Sequence, residues 1–140
     1  MLVNVTKTQS VWGAVSRAVR TPSRTEQDMR LDAATLAPSA ATLGLPVQVS
    51  VLGDRRFKSE DMLAYETGYR VNLGRVSVDA AGFYNSYSNL LSAEPAAPSL
   101  ELTGPIHLVA PLVAANKMSG ATYGSELLAE WRPTTAFKLT

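Results

Sequence analysis

Residues 62–71 alternate one by one, with Leu63, Tyr65, Thr67, Tyr69 and Val71 on one parity and Ala64, Glu66, Gly68 and Arg70 on the other. Successive side chains of a strand point to opposite faces, so a period of two describes a strand with one oily side and one wet side. Asn72-Leu73-Gly74-Arg75 follows, a tight-turn sequence whose Asn and Gly accept positive φ. The alternation then resumes, with Val76, Val78, Ala80, Gly82 and Tyr84 set against Ser77, Asp79, Ala81, Phe83, Asn85 and Tyr87. Residues 62–91 therefore read as a long hairpin, less clean in its second arm because Phe83 and Tyr87 join the polar set. A slip of one residue would invert both faces.

Other stretches fall into the same scheme. Residues 11–20 alternate, with Trp12, Ala14, Ser16, Ala18 and Arg20 on one side, and Thr21-Pro22-Ser23 ends that strand because Pro cannot donate to a ladder. Ser23 with Glu26 three residues on has capping-box spacing and predicts a short helical turn through Met29. Residues 47–51 form a short extended piece inside a long connection. Residues 92–117 hold four prolines, Pro95, Pro98, Pro105 and Pro111, which oppose a central strand and leave only 106–109 to pair locally. Residues 120–131 give a further strand, with Tyr123, Ser125, Leu127, Ala129 and Trp131 facing one way and Gly124, Glu126, Leu128 and Glu130 the other. Arg132-Pro133-Thr134-Thr135 reads as a second short turn, and a strand opens at Ala136.

The connections alternate in length: long at 21–61, short at 72–75, long at 92–118, short at 132–135. Transmembrane barrels separate their connections in this way, with short periplasmic turns and long extracellular loops. On that reading the chain is all-β, an incomplete segment of a large antiparallel up-and-down barrel. Glu66, Arg70, Asp79, Asn85, Glu126 and Glu130 face a wet lumen, and Tyr69 and Trp131 sit at the periplasmic-side interface. A Lys or Arg facing lipid at the midplane would cost roughly 2–4 kcal/mol, so keeping charges on one parity matters energetically. The same alternation also fits a soluble β-sandwich, and a soluble all-β ligand- or carbohydrate-binding module is the alternative.

Composition narrows the chemistry. With no Cys and one His among 140 residues, thiolate and histidine metal sites and triad chemistry lack partners, so no enzyme activity or cofactor is implied. Thirteen Lys and Arg against twelve Asp and Glu give a net charge of +1, which provides no global attraction for nucleic acid. No apolar run reaches the roughly 18 to 20 residues of a membrane helix, a limit that does not apply to strands.

Four motifs together resemble those of the TonB-dependent receptors of bacterial outer membranes. Residues 12–24, ending Arg20-Thr21-Pro22-Ser23-Arg24, are similar to that family's strand-to-loop segment ending in R-T-P-S. Ser59-Glu60 with Tyr65-Glu66-Thr67-Gly68-Tyr69-Arg70 resembles its S/P-E followed by Y-E-x-G-Y-R. Phe83-Tyr84-Asn85 with Tyr87 is similar to its F-Y-N-x-Y arm, and Tyr123-Gly124-Ser125-Glu126 to its Y-G-x-E strand. The resemblance implies a barrel of about 22 strands around an N-terminal plug. It also implies uptake of a scarce small-molecule nutrient, such as an iron-siderophore complex or cobalamin, driven through TonB. Residues 1–140 would supply four or five strands of the C-terminal half, without the plug or the C-terminal strand, and would not transport alone. The expected location is the bacterial outer membrane, with membrane lipid and lipopolysaccharide as neighbours.

Individual sites follow. Glu66 and Arg70 lie about 13 Å apart along a strand and cannot pair directly, so neighbouring strands or the plug would partner them. Arg55, Arg56 and Lys58 form a basic cluster able to attract an anionic ligand or lipopolysaccharide phosphates, or simply a solvated loop rim. Arg17 and Arg20 are placed to snorkel to headgroups. His107 reads as a loop histidine, and Asp79 and Glu126 give no reason to assign a general acid or base.

Overall fold

The computed structural model describes residues 1–134 and 137–140. The chain runs β1 (Leu2–Asn4), β2 (Gln9–Arg20), α1 (Arg24–Asp28), β3 (Arg30–Leu36), a one-turn 3₁₀ helix (Ala40–Thr42), β4 (Val47–Leu52) and β5 (Glu60–Asn72). It continues through β6 (Val76–Pro95), β7 (Ser99–Glu101), β8 (His107–Thr134) and β9 (Phe137–Leu139). It divides into two compact units, one of Met1–Ala18, Met62–Tyr87 and Gly120–Thr140, the other of Val19–Asp61 and Ser88–Ser119.

The first unit is a single-layer sheet in the order β1, β2, β5, β6, β8, with β9 pairing β8. β1 and β2 make an antiparallel hairpin with Leu2 opposite Trp12, an element the alternation had not marked. The turn expected at 72–75 is present. Gly74 takes φ 79, its N–H donates to Asn72 Oδ1 at 3.1 Å, and Leu73 N–H donates to the Val76 carbonyl at 2.7 Å. The two parities stay separate across it. Contacts between Trp12 and Gly68, Arg70 and Asp79, Phe83 and Gly124, and Asn85 and Thr122 place these residues on one face. Alternation puts Leu63, Tyr65, Tyr84, Tyr123 and Leu127 on the other, where all are exposed. The expected turn at 132–135 is corrected, because Arg132, Pro133 and Thr134 still belong to β8 and Thr134 pairs Phe137. The expected turn residue Thr135 and the expected strand start Ala136 lie outside the described residues.

The second unit is the better-buried one, holding Phe57, Val109, Ala114, Ser50 and Ser92. Its helix starts where the capping-box spacing places it. The Ser23 side chain accepts from Glu26 N–H, and the Glu26 carboxylate accepts from Ser23 N–H in a complete capping box. The far end of α1 is closed by Gly53 and Asp54, whose N–H groups donate to the carbonyls of Met29 at 2.7 Å and Glu26 at 2.9 Å. A Cβ at Gly53 would come within 2.7 Å of the Gln27 backbone, so the helix closes only over glycine.

Residues 21–61 hold more pairing than expected. β3, unmarked by alternation, lies antiparallel to β4, with fully buried Ser50 donating to Asp32 Oδ1 at 2.6 Å. The tip joining them is satisfied locally. Thr42 Oγ1 accepts from Ser39 N–H and donates to the Leu45 carbonyl, Gly44 N–H donates to Ser39, and Leu43 is 91% exposed. β4 pairs β8 in parallel, Val47 opposite Leu108, an exception to the antiparallel expectation.

The proline-rich stretch is corrected too, since β6 runs to Pro95 and β8 begins at His107 and passes through Pro111. Leu108 N–H points to β4, where it meets the Pro46 carbonyl, so Pro111, of opposite parity, turns its donorless nitrogen away from β4. On that side lie residues 96–98, between the end of β6 and the start of β7, and only the Pro111 carbonyl is used, accepting from Ala96 at 3.0 Å. The proline therefore sits where a missing donor costs no ladder bond.

Candidate functional site

Two groups of polar residues stand out, one in each unit. In the first, Glu66, Arg70, Asp79, Asn85, Glu126 and Glu130 share the face that carries Trp12 and Phe83, by the contacts above and strand alternation. Arg70 and Asp79 meet across the β5/β6 hairpin, with Arg70 Nε donating to the Asp79 carboxylate at 2.6 Å. They border a recess of about 310 Å³ that also takes in Ser77, Leu128, Glu130 and Arg132. Glu130 is held by Lys138 and, at 3.4 Å, by Arg132. Asn85 Nδ2 donates to Thr122 Oγ1 at 3.2 Å.

Glu66 and Glu126 make no side-chain hydrogen bond or ion pair among the described residues. Of the sequence-picked charges on this face, then, Arg70 and Asp79 are brought together, Glu130 finds partners of its own, and two carboxylates stand alone. Lys138 and Arg132 are not among the sequence candidates, because the sequence reads Arg132 as a turn residue and does not fix the register of β9 on β8, Trp131 opposite Leu139.

Tyr69 and Trp131 lie on the opposite parity, 39% and 50% exposed, close to the chain reversals. A shallow groove is lined by Tyr65, Thr67, Gly82, Tyr84, Tyr123 and Ser125 of this parity together with Glu66, Phe83 and Gly124 of the other.

In the second unit Arg20 is the hub. Its Nε donates to Glu60 at 2.6 Å and its two terminal nitrogens to Glu26 at 2.7 and 3.2 Å, while the other Glu60 oxygen accepts from Leu91 N–H at 2.7 Å. Arg20 therefore does not snorkel. It ties the end of β2 to the helix and to the first residue of β5. The Arg20 guanidinium, helped by Ser23 N–H, holds the Glu26 carboxyl down to about 2. The partner Glu60 is 40 residues away in sequence, too far for a motif to reveal.

The basic cluster is partly neutralised. Arg55 pairs with Asp28 and Arg56 with Asp54, each at 2.8 Å, yet both side chains remain largely in solvent. Lys58 donates its backbone N–H to Asn116 Oδ1, and Asn116 Nδ2 donates in turn to the carbonyls of Lys58 and Asn89. That clamp holds Asn89 at φ 56 inside β6. Arg56 keeps the Asp54 carboxyl below its usual range, and Arg30, with Thr103, does the same for Glu101. His107 is not in a loop but opens β8 opposite Glu101.

The fold has solved counterparts. The ferric enterobactin receptor of Pseudomonas aeruginosa (PfeA), solved in complex with enterobactin, superposes with a TM-score of 0.78 at 15% identity, over 98% of this chain and 20% of that one. The siderophore receptor PirA of Acinetobacter baumannii gives 0.72 at 15% identity over 93% and 20%, and PirA of Pseudomonas aeruginosa 0.61 at 15% over 96% and 24%. The chain thus spans a fifth to a quarter of the length of these receptors. No curated protein matches it. The family described as TonB dependent receptor-like, beta-barrel matches residues 2–140, nearly the whole chain, and the chain belongs to that family.

Proposed function

We propose that this chain forms part of the barrel wall of a TonB-dependent receptor in the bacterial outer membrane, a transporter with no catalytic role. One observation carries the reading: a sheet with no second layer among the described residues has Glu66, Arg70, Asp79, Asn85, Glu126 and Glu130 on one face and exposed Leu63, Tyr65, Tyr84, Tyr123 and Leu127 on the other. In water so large an apolar face drives association, whereas in a bilayer it matches the hydrocarbon.

The charged face then looks into the lumen. Tyr69 and Trp131 anchor the periplasmic-side interface with an apolar ring and a polar tip. Glu66 and Glu126, alone among their described neighbours, are left to receive cations from the plug or from strands beyond this chain. Arg55 and Arg56, paired yet solvent-exposed, and Lys58 are placed to meet lipopolysaccharide phosphates or an anionic ligand. The solved receptors are named for siderophores, which supports a siderophore-like or other scarce nutrient as cargo and TonB as the energy source.

The two tryptophans test this directly. The W12F and W131F variants, each with a single indole, are reconstituted into vesicles containing lipids brominated on their acyl chains. Trp131, left in W12F, is expected to be strongly quenched and Trp12, left in W131F, weakly. Equal quenching, or stronger quenching of Trp12, overturns the assignment of faces. A chain that remains a soluble, cooperatively unfolding monomer without detergent overturns the membrane reading in favour of a soluble module.

A further inference from the structure

We infer that Gly68 and Gly124 are seats for aromatic rings, and that these seats, with the Arg70/Asp79 pair between them, set the strand register of the wall and keep the inward Trp12 and Phe83 rings flat. The inward direction rests on the wall reading above. The seats do not.

A single-layer sheet has no core behind it to choose between registers, so side chains lying on the sheet must do so. β2, β5, β6 and β8 are successive neighbours, which makes three interfaces to fix. Between β2 and β5 the indole of Trp12 lies across Gly68. A Cβ there would meet Nε1 and Cε2 and come within 2.7 Å of Cζ2, and Thr67 Oγ1 adds a bond to the Trp12 carbonyl at 3.0 Å. Between β5 and β6, Arg70 grips Asp79. Between β6 and β8 the Phe83 ring lies across Gly124, where a Cβ would be 2.8 Å from Cε1 and Cζ. All three contacts are on one face, one to each interface.

Hydrophobic alternation rejects a slip of one residue, because every side chain would change sides, but it is blind to a slip of two. The seats are not blind to it. Moving β5 by two residues brings Glu66 or Arg70 under the indole, and moving β8 by two brings Thr122 or Glu126 under Phe83. Each has a side chain where the ring needs a bare backbone. The same geometry keeps both rings lying along the wall, so any larger residue at 68 or 124 lifts a ring off the sheet and into the passage.

The test uses the chain in lipid vesicles. In the W131F background Trp12 is the sole indole. Gly68→Ala is expected to shift its emission to the red and raise its quenching by acrylamide, while Gly124→Ala leaves both unchanged. In a double-mutant cycle read by urea midpoint, Gly68→Ala is expected to lower the midpoint when Trp12 is present and to lose most of that effect on a Trp12→Ala background. An unchanged Trp12 spectrum, or the same midpoint loss with and without Trp12, overturns the proposal. If Gly68→Ala does not insert, Gly124→Ala with Phe83→Ala runs the same cycle at the second seat, where a midpoint loss that needs Phe83 supports the proposal and one that does not overturns it. Strong quenching of Trp12 by brominated lipid with the Gly68→Ala shift intact upholds the seat and overturns the lumen assignment, so the two readings fail separately.

Discussion

At the scale of single residues, the base of the β2/β5 connection depends on the charge of Glu26. Its carboxyl is held down to about 2, first by the Arg20 guanidinium and then by Ser23 N–H. A carboxyl depressed in the folded state contributes stability that is fully present above its unfolded value and is lost as pH falls toward the folded one. The window therefore runs from the ordinary 4.5 down to about 2, and Asp54 and Glu101, also depressed, weaken in the same direction. The protection of amides across residues 20–30, measured against the intrinsic exchange rate at each pH, is expected to fall through that window, and Glu26→Gln should give low protection at every pH. Native protection that does not respond to acid would contradict this. Half of the cluster was legible in the sequence, because Ser23 and Glu26 announce a capping box at fixed spacing. The other half was not, since Arg20 meets Glu60 only once β2 and β5 are neighbours.

At the scale of elements, alternation predicted what a two-faced sheet demands and missed what it does not. The β5/β6 hairpin is readable because one face differs chemically from the other, and β4 because it alternates, whereas β2 alternates with neither face cleanly polar, so its orientation stays open in the sequence. β3 and β7 carry no such contrast, and the four prolines of residues 92–117 hide the first half of β8, although Pro111 sits where no donor is required. Parity also makes adjacent residues of β8 unequal. Leu127 is on the apolar face, whereas Leu128 borders the recess shared with Arg70 and Glu130. Leu127→Arg is expected to cost roughly 2–4 kcal/mol near the hydrocarbon midplane, and Leu128→Arg far less, by urea unfolding in vesicles. Equal costs would remove the distinction between the faces.

At the scale of the whole molecule, the fold class rests on family motifs and loop lengths rather than on any core, because the described residues of the first unit form one sheet with no second layer to leave a signature. The chain spans a fifth to a quarter of the receptors it resembles in fold, and an open sheet edge in lipid leaves backbone donors and acceptors unpaired. Residues 1–140 expressed alone in a receptor-deficient strain are expected to give no TonB-dependent uptake of a ferric siderophore, and measurable uptake would show that these strands complete a pore. The tip between β3 and β4 carries a different consequence. Ser39, Thr42 and Gly44 satisfy one another's backbone groups, so the apex asks nothing of its surroundings. A foreign peptide spliced beside Leu43 inherits a rigid stem on both sides, which makes this hairpin a natural mount for an antibody tag that reports whether the loop reaches the cell exterior.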